Sequence, residues 1–406
     1  MTFKQTSSFH TNELRKHMKT DALAQLSFFK SSLSSDGGFA NLSREGNVRT
    51  GEPQELITTT RLVHSYALGK LAGVEGCDEI IDAGMKALWG NHRDKVNGGY
   101  IWSFTSNGAA ETDKLAYGHM FVLLAASSAK SVGHPDADRL LEDVSEVITD
   151  RFWDENAGLM HDEFRRDWSS FSDYRGMNAN MHGVEAHLSA FEVTGNQTYL
   201  DRAQRILSFF VDKIAASRDW RLAEHYTSDW KVDATYEGNP MFRPKGTTPG
   251  HSFELGRLLI QAWDLGGRKD DAAVAKARAL IETALKDAWR PNGGFAYTLD
   301  FDGNIDVSDR YWWPVTEAIG AVATLLKLGG TQADQVWYDK LWAFAFEFLV
   351  DANHGGWIPE IDDENLPCEK QFIGKPDIYH ALQADLFPLH KGVSRHYDGI
   401  KNILKL

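Results

Sequence analysis

Asn97-Gly98-Gly99-Tyr100 and Asn292-Gly293-Gly294-Phe295 are near copies of one another. Asp36-Gly37-Gly38-Phe39, Asn156-Ala157-Gly158-Leu159 and Asn353-His354-Gly355-Gly356-Trp357 repeat the theme. The last small residue of each falls at 38, 99, 158, 294 and 356. The period is about sixty residues, with one double-length gap that has room for a degenerate copy around Trp220-Arg221-Leu222-Ala223-Glu224. Six units result, each too long for one helix and suited to two helices with their connections.

Apolar spacing fills these units with helices. It predicts them at 9–34, 53–73, 77–92, 112–132, 135–152, 177–194, 197–217, 250–266, 268–288, 310–328, 332–351 and 376–389. Strand signals are confined to short pieces after the glycines, such as Gly99-Tyr100-Ile101-Trp102-Ser103-Phe104 and Phe295-Ala296-Tyr297-Thr298-Leu299, which read as hairpins at one end. No linker or low-complexity block interrupts the chain, so residues 1–406 are expected to form one domain. The fold class is all-α. An open solenoid would need polar caps on its terminal units, and none is evident. A closed (α/α)6 barrel of six helix pairs, with short β-hairpins at one end, is therefore expected.

Composition narrows the partners. The chain has 406 residues, 42% of them hydrophobic, and a formal charge of −14. That charge argues against nucleic acid and anionic membrane as partners. Only Cys77 and Cys368 occur, without metal-finger spacing, which reads as two reduced thiols. Residues Met1 to His17 are polar and lack the apolar core of a signal peptide, so a cytoplasmic location is expected. The 13 Trp residues supply core and also suit the stacking walls of a sugar site.

A second periodicity runs through the starts of alternate helices. Thr248-Pro249-Gly250-His251-Ser252-Phe253-Glu254-Leu255-Gly256-Arg257 is the clearest case. Pro ahead of an apolar run marks a helix start, and His251 and Glu254, three apart, share a face. Corresponding positions elsewhere hold Arg61, Tyr117 with His119, Asn178 with His182, Trp312 and Trp313 with Glu317, and His380. Singly, each has a plain structural reading. Arg61 can pair with Glu52 or Glu55, His119 can be a bonded core histidine, Trp312 and Trp313 can be core. Asn178 and Asn180 can be turn residues, and Asp377 can be an N-cap. Together they would share one end of an inner ring of helices and line one funnel. Burying so many polar groups without partners would cost several kcal/mol each.

The set contains imidazoles, an Arg, carboxylates and aromatic walls. It has no Ser-His-Asp order, phosphate loop or dinucleotide fingerprint. Imidazoles exchange protons near neutrality, and an Arg stabilises a developing enediolate. The residues by themselves point to proton shuttling on an open-chain sugar.

Six motifs in order extend this reading: Thr-Thr-Thr-Arg61, Ala-Tyr117-Gly-His, Arg-Gly-Met-Asn178-Ala-Asn-Met-His182, Pro-Gly-His251-Ser-Phe-Glu254, Tyr-Trp312-Trp313-Pro-Val-Thr-Glu317 and Lys-Pro-Asp-Ile-Tyr-His380. Together they resemble the N-acylglucosamine 2-epimerase superfamily over essentially the whole chain, closest to its mannose isomerase and aldose–ketose isomerase branch. The resemblance implies an (α/α)6 barrel and a metal-independent reaction through a cis-enediolate, with no cofactor. It implies that His251 and His380 are the acid/base pair. His182 and Glu254 would assist ring opening or position the pair, and Arg61 would hold the enediolate. Tyr117, Asn178, Trp312, Trp313 and Glu317 would bind hydroxyls or stack on the sugar. The expected reaction is interconversion of D-mannose and D-fructose, with His380 carrying the C2 proton to C1. The partner is then a monosaccharide, and the protein is a monomer or homo-oligomer.

Sulfoquinovose isomerisation and 2-epimerisation are the near alternatives. A sulfonate would need cations such as Arg243, Lys245 or Lys375, or the amide of Gln371, in the loops before His251 and His380. A glycoside hydrolase using Glu254 and Glu317 is a more distant alternative. So are a metal enzyme built on His251, Glu254 and His380, and a non-catalytic sugar-binding protein.

Overall fold

The computed structural model describes residues 9–34, 37–239 and 243–405. Asp36 of the first glycine motif and residues 1–8 lie outside the described residues. Among the described residues twelve long helices appear where the apolar spacing places them. They are α1 (Asn12–Phe29), α2 (Leu56–Ala72), α3 (Asp78–Ala87), α4 (Ala116–Ser131), α5 (Ala137–Val147) and α6 (Met177–Thr194). The second half contributes α7 (Gln197–Leu207), α8 (Pro249–Leu265), α9 (Ala273–Ala288), α10 (Trp312–Lys327), α11 (Gln332–Phe344) and α12 (Tyr379–Leu389). A short α13 (His396–Gly399) follows. Helices α3, α5 and α11 are shorter than predicted because each ends in a wider π-helical turn, at Leu88–His92, Ile148–Phe152 and Ala345–Leu349. Helix α9 starts at Ala273 rather than 268, because Gly267 and Arg268 both take positive φ and carry the chain through a turn.

Two kinds of helix alternate. Outer helices carry one apolar stripe: α5 buries Ala137, Leu140, Leu141 and Val144, a helical i, i+3, i+4, i+7 set. Inner helices are buried nearly all round, as in α4, where Gly118 through Ala129 are all inaccessible. Around the inner ring α2 packs on α4, α4 on α6, α6 on α8, α8 on α10 and α10 on α12. α12 packs back on α2 and on α1, so the ring closes.

Backbone bonds at the funnel end explain how the units lock. The residues leading into each inner helix bond to the segment after the glycines of the next unit. Gln54–Glu55 pairs with Ser103–Phe104, Lys114–Leu115 with Glu163–Phe164, Arg175–Gly176 with His225–Tyr226, and Arg310–Tyr311 with Glu360–Ile361, all antiparallel. Thr247 bridges Leu299 in the same manner. Lys375, ahead of α12, bridges Leu42 of the first unit and joins the last repeat to the first. The expected hairpins are present too, for example Ser103–Thr105 with Gly108–Ala109 and Thr298–Leu299 with Ile305–Val307.

The glycines have a steric reason. Gly98 and Gly99 hold φ of 75° and 70°, and a Cβ on Gly99 would lie 2.7 Å from Trp168. In the degenerate fourth unit Asp219 and Trp220 take the same left-handed conformation without being glycine, at 51° and 64°. This is why the repeat is hard to read there. Among the described residues no helix is long and apolar enough to cross a membrane.

Candidate active site

The N-termini of the inner helices converge on one end of the ring, and the polar positions of the second periodicity sit on them. Pro249 at the first position of α8 starts that helix and places His251 in its first turn. Its Nδ1 lies 2.9 Å from Oε1 of Glu224, which is buried in the degenerate unit. A carboxylate only accepts, so Nδ1 donates to Glu224 and Nε2 is the ring nitrogen left for a ligand. His380, in the first turn of α12, repeats the arrangement: its Nδ1 lies 2.8 Å from Oε1 of Glu317 on α10. The other oxygen of Glu317 accepts from Nη2 of Arg257 at 3.3 Å. Burial alone would raise the Glu317 carboxyl, but Arg257 and the His380 bond outweigh it and hold it below the usual range.

Trp313 ties the two dyads together. Its indole centroid is 5.2 Å from that of His251 and 5.9 Å from that of His380, both at shallow interplanar angles. Both imidazoles therefore border the same patch of wall. Gly250 makes room for this indole, since a Cβ there would lie 2.2 Å from the Trp313 ring. Trp312 is buried behind it, edge-on to Phe372 and His380, and reinforces the wall.

Deeper in the ring lies a second cluster. His182 Nδ1 is 3.5 Å from Glu254 Oε1 and 3.8 Å from Glu185 Oε2. Burial lowers His182 to about 4, so the ring is neutral at pH 7. Burial, followed by repulsion from Glu317 and Glu185, pushes Glu254 well above the carboxylate range. Glu254 is then a protonated acid, able to donate. Both its oxygens and Nδ1 of His182 have no bonded partner, which suits a polar ligand. His182, Glu185 and Glu254 offer three ligand atoms within 4.8 Å of one another. A cation there would compete with the nearby charges of Arg61 and Arg257, both of which act on Glu254.

Arg61 is held in a different way from the expected pairing with Glu52 or Glu55. Its Nη1 pairs with Asp377, ahead of α12, and its Nη2 donates to the Tyr117 hydroxyl at 2.8 Å. The guanidinium lies 4.6 Å from the Phe121 ring and 5.0 Å from the Tyr379 ring, with Nε unbonded. Asp377 is not the N-cap it reads as, a place held by Ile378, but it accepts from the Tyr379 amide at 3.0 Å and so ties Arg61 to the start of α12. The side-chain oxygen of Asn178 is buried without a partner. Asn180 and His119 are structural instead. Asn180 accepts from the Met160 amide at 2.9 Å, and His119 accepts from the Tyr100 amide at 3.0 Å, tying glycine turns to inner helices.

Glu224, Arg257, Asp377, Glu185 and Tyr379 belong to these networks and were not singled out from the sequence as site residues. The structure shows that Glu224 is the counterpart of Trp102 and Asp162 in other units, since its backbone carbonyl bonds the Met177 amide as theirs bond the amides of Leu56 and Ala116.

Comparison with known proteins fits this geometry. The sequence profile of N-acylglucosamine 2-epimerase (GlcNAc 2-epimerase) matches residues 37–384. The chain belongs to this family. Within it, the chain is 40% identical over 359 residues to the D-mannose isomerase of Thermobifida fusca, covering 87% of this chain and 88% of that one. It is 39% identical over 363 residues to the D-mannose isomerase of Pseudomonas cannabina pv. alisalensis, covering 87% of each. A crystal structure of a D-mannose isomerase superposes with a TM-score of 0.86 at 30% identity, covering 92% of this chain and 97% of that one. The closed ring of six helix pairs is thus the barrel of the 2-epimerase family.

Proposed function

We propose that the protein is an aldose–ketose isomerase that interconverts D-mannose and D-fructose in a single barrel domain. The observation that carries this reading is the pair of carboxylate-oriented imidazoles, His251 and His380, whose ring centroids both lie within 6 Å of that of the Trp313 indole. The activity of the family's D-mannose isomerases supports the same choice of sugar.

In the proposed cycle the pyranose lies against Trp313, with Tyr117 and Asn178 at its hydroxyls. Glu254 gives a proton to the ring oxygen while neutral His182 accepts one from the anomeric hydroxyl, and the ring opens. His380 Nε2 removes the proton from C2. The two electrons of that C–H bond form the C1–C2 double bond, and charge builds on the former carbonyl oxygen. Arg61 faces that charge, and a preorganised donor of this kind is worth roughly 3–4 kcal/mol. His251 moves a proton from O2 to O1, and His380 returns its proton to C1. The cycle needs no redox partner and, as proposed, no metal, so exhaustive chelation is expected to leave activity undiminished.

Two of the cations that a sulfonate would need are engaged, and the third is an exposed Lys in a loose surface pair. Arg243 pairs with Glu163, Lys245 lies 3.8 Å from Asp306, and Lys375 is buried against Asp351. Gln371 offers no charge. This favours a neutral hexose over sulfoquinovose. A glycosidase would need Glu317 free to face a scissile bond, yet both its oxygens are committed to His380 and Arg257.

The test is incubation with mannose, glucose, fructose and sulfoquinovose in heavy water, with products identified by NMR. Mannose should yield fructose, with deuterium entering only as the proton held on His380 exchanges with solvent, and then confined to C1 of fructose and C2 of mannose. Glucose as the product from mannose would instead mark a 2-epimerase, and no conversion of any sugar would overturn the reading.

A further inference from the structure

Three units repeat one further contact around the funnel. In each, a residue after the glycine turn offers its backbone carbonyl to the amide that opens one inner helix, and its side chain crosses to the start of the next. The Glu224 carbonyl accepts from Met177 at 2.9 Å, at the start of α6, and its carboxylate reaches His251 on α8. The Asp162 carbonyl accepts from Ala116 at 2.7 Å, at the start of α4, and its carboxylate accepts from the Gly176 amide just ahead of α6. The Trp102 carbonyl accepts from Leu56 at 2.8 Å, at the start of α2, and its indole crosses to α4.

There the indole lies over Gly118 in the first turn, where a Cβ would stand 3.6 Å from its six-membered ring. Its centroid is 6.4 Å from that of Tyr117, at an interplanar angle of 35°. The Tyr117 hydroxyl accepts from Arg61, so Trp102 borders the same wall as that pair. Trp313 makes the matching contact over Gly250, in the first turn of α8. Both indoles are partly exposed, whereas Trp312 is buried. Among the described residues none bonds the Nε1 of Trp102. Ring order sets the two indoles apart. Trp102 covers the seam between α2 and α4, and Trp313 the seam between α8 and α10. In a ring that runs α2, α4, α6, α8, α10, α12 and back to α2, those seams lie on opposite sides.

We infer that Trp102 is a second sugar-stacking wall, across the funnel from Trp313. The inference rests on the proposed isomerisation. Trp313 stands beside the two imidazoles and so serves the C1–C2 end, and Trp102 takes the part of the hexose away from it. An indole offers a flat apolar face to the C–H groups of a sugar and an N–H to one of its hydroxyls. The carbons held there do not react, so the contact is as strong in the ground state as in the transition state. Such a contact sets affinity and leaves the rate of the bound sugar alone.

The test uses the full-length protein with Trp102→Ala and Trp102→Phe, assayed with mannose. In the Ala variant KM should rise roughly tenfold with kcat within about twofold of wild type, the mark of lost uniform binding. The Phe variant keeps a ring without the N–H and should fall between the two. A Trp102 that merely braces α2 against α4 would lower Tm and leave KM alone. An unchanged KM in Trp102→Ala, or a loss carried by kcat, therefore overturns the wall. Should the Ala variant fail to fold, wild-type protein labelled with fluorotryptophan answers the same question. The fluorine resonance that Trp102→Phe removes should shift on saturation with mannose, and an unmoved resonance overturns the wall. Conversion of mannose with that resonance unmoved sinks this inference and spares the isomerase reading. A shifted resonance without conversion sinks the isomerase reading alone.

Discussion

Glu317 on α10 fixes the ring of His380 on α12 through a 2.8 Å bond to Nδ1. The bond crosses between neighbouring inner helices, so the geometry of the barrel sets the tautomer of the imidazole. Glu317→Gln is nearly isosteric but presents an amide to Nδ1 and removes the charge that Arg257 faces. The expected result is a fall in kcat of roughly 10²–10⁴-fold with a far-UV spectrum unchanged, since a mis-set tautomer costs on that scale. Steady-state kinetics with mannose checks it.

His251→Asn and His380→Asn should each lose at least roughly 10²-fold in turnover with the fold unchanged. A sugar-binding protein without catalysis would keep its ligand affinity in these variants and have no turnover to lose. Parallel calorimetry with mannose and activity assays separate the two outcomes.

Gly250 is the only residue type that fits beneath the Trp313 indole. In Gly250→Ala the new methyl would stand 2.2 Å from the ring and displace it. Misplacing the wall shared by both imidazoles should cost roughly 10- to 100-fold in kcat/KM, carried largely by KM. A crystal structure of the variant should show the indole shifted.

Asp377→Asn leaves the buried Arg61 guanidinium with the Tyr117 hydroxyl but without its counter-charge. Unpairing a buried ion typically costs about 3–5 kcal/mol. Both Tm and kcat should fall, and Asp377→Glu should recover part of each. A normal Tm and normal kcat in Asp377→Asn would contradict the anchoring role.

Stability should fall on mild acidification. Burial lowers His10, His64, His92, His119, His182 and His187 to about 4. Their folded values lie below the unfolded value near 6.5, so the unfolded chain binds more protons between these limits. The stability they contribute is complete above pH 6.5 and drains away as pH falls towards 4. Each can account for up to about 3 kcal/mol. Asp21, Glu55, Asp162, Glu192, Glu254 and Asp385, all raised by burial, act in the opposite sense, but burial also lowers His161, His225, His390 and His396, so among the described residues ten imidazoles stand against six carboxyls. Calorimetry from pH 7 to 4.5 should show Tm falling steadily, with net proton uptake on unfolding.

The helices were legible because each inner one announces its start and each outer one keeps a clean stripe. Pro249 opens α8, and Leu140, Leu141 and Val144 mark the buried side of α5. The positions gathered at the funnel were legible because polar groups recur at the starts of inner helices, where an inner ring would otherwise be apolar. What orients them was not. Glu224 lies 27 residues from the imidazole it holds, in the unit whose glycines are replaced by Asp219 and Trp220. Asp377 reads locally as an N-cap, but the N-cap is Ile378 and Asp377 stands one residue ahead of it, and nothing in its neighbourhood points to an Arg 316 residues away. Arg257 reads as the polar end of a turn of α8, and only the packing of α8 on α10 brings it to Glu317.

The bond between Lys375 and Leu42 has a topological corollary. Because the sixth unit is sewn to the first as the others are sewn in sequence, the toroid has a seam only in its covalent chain. A permuted protein that starts at Gly195, in the turn between α6 and α7, and joins residue 406 to residue 1 through a flexible linker should close the same annulus.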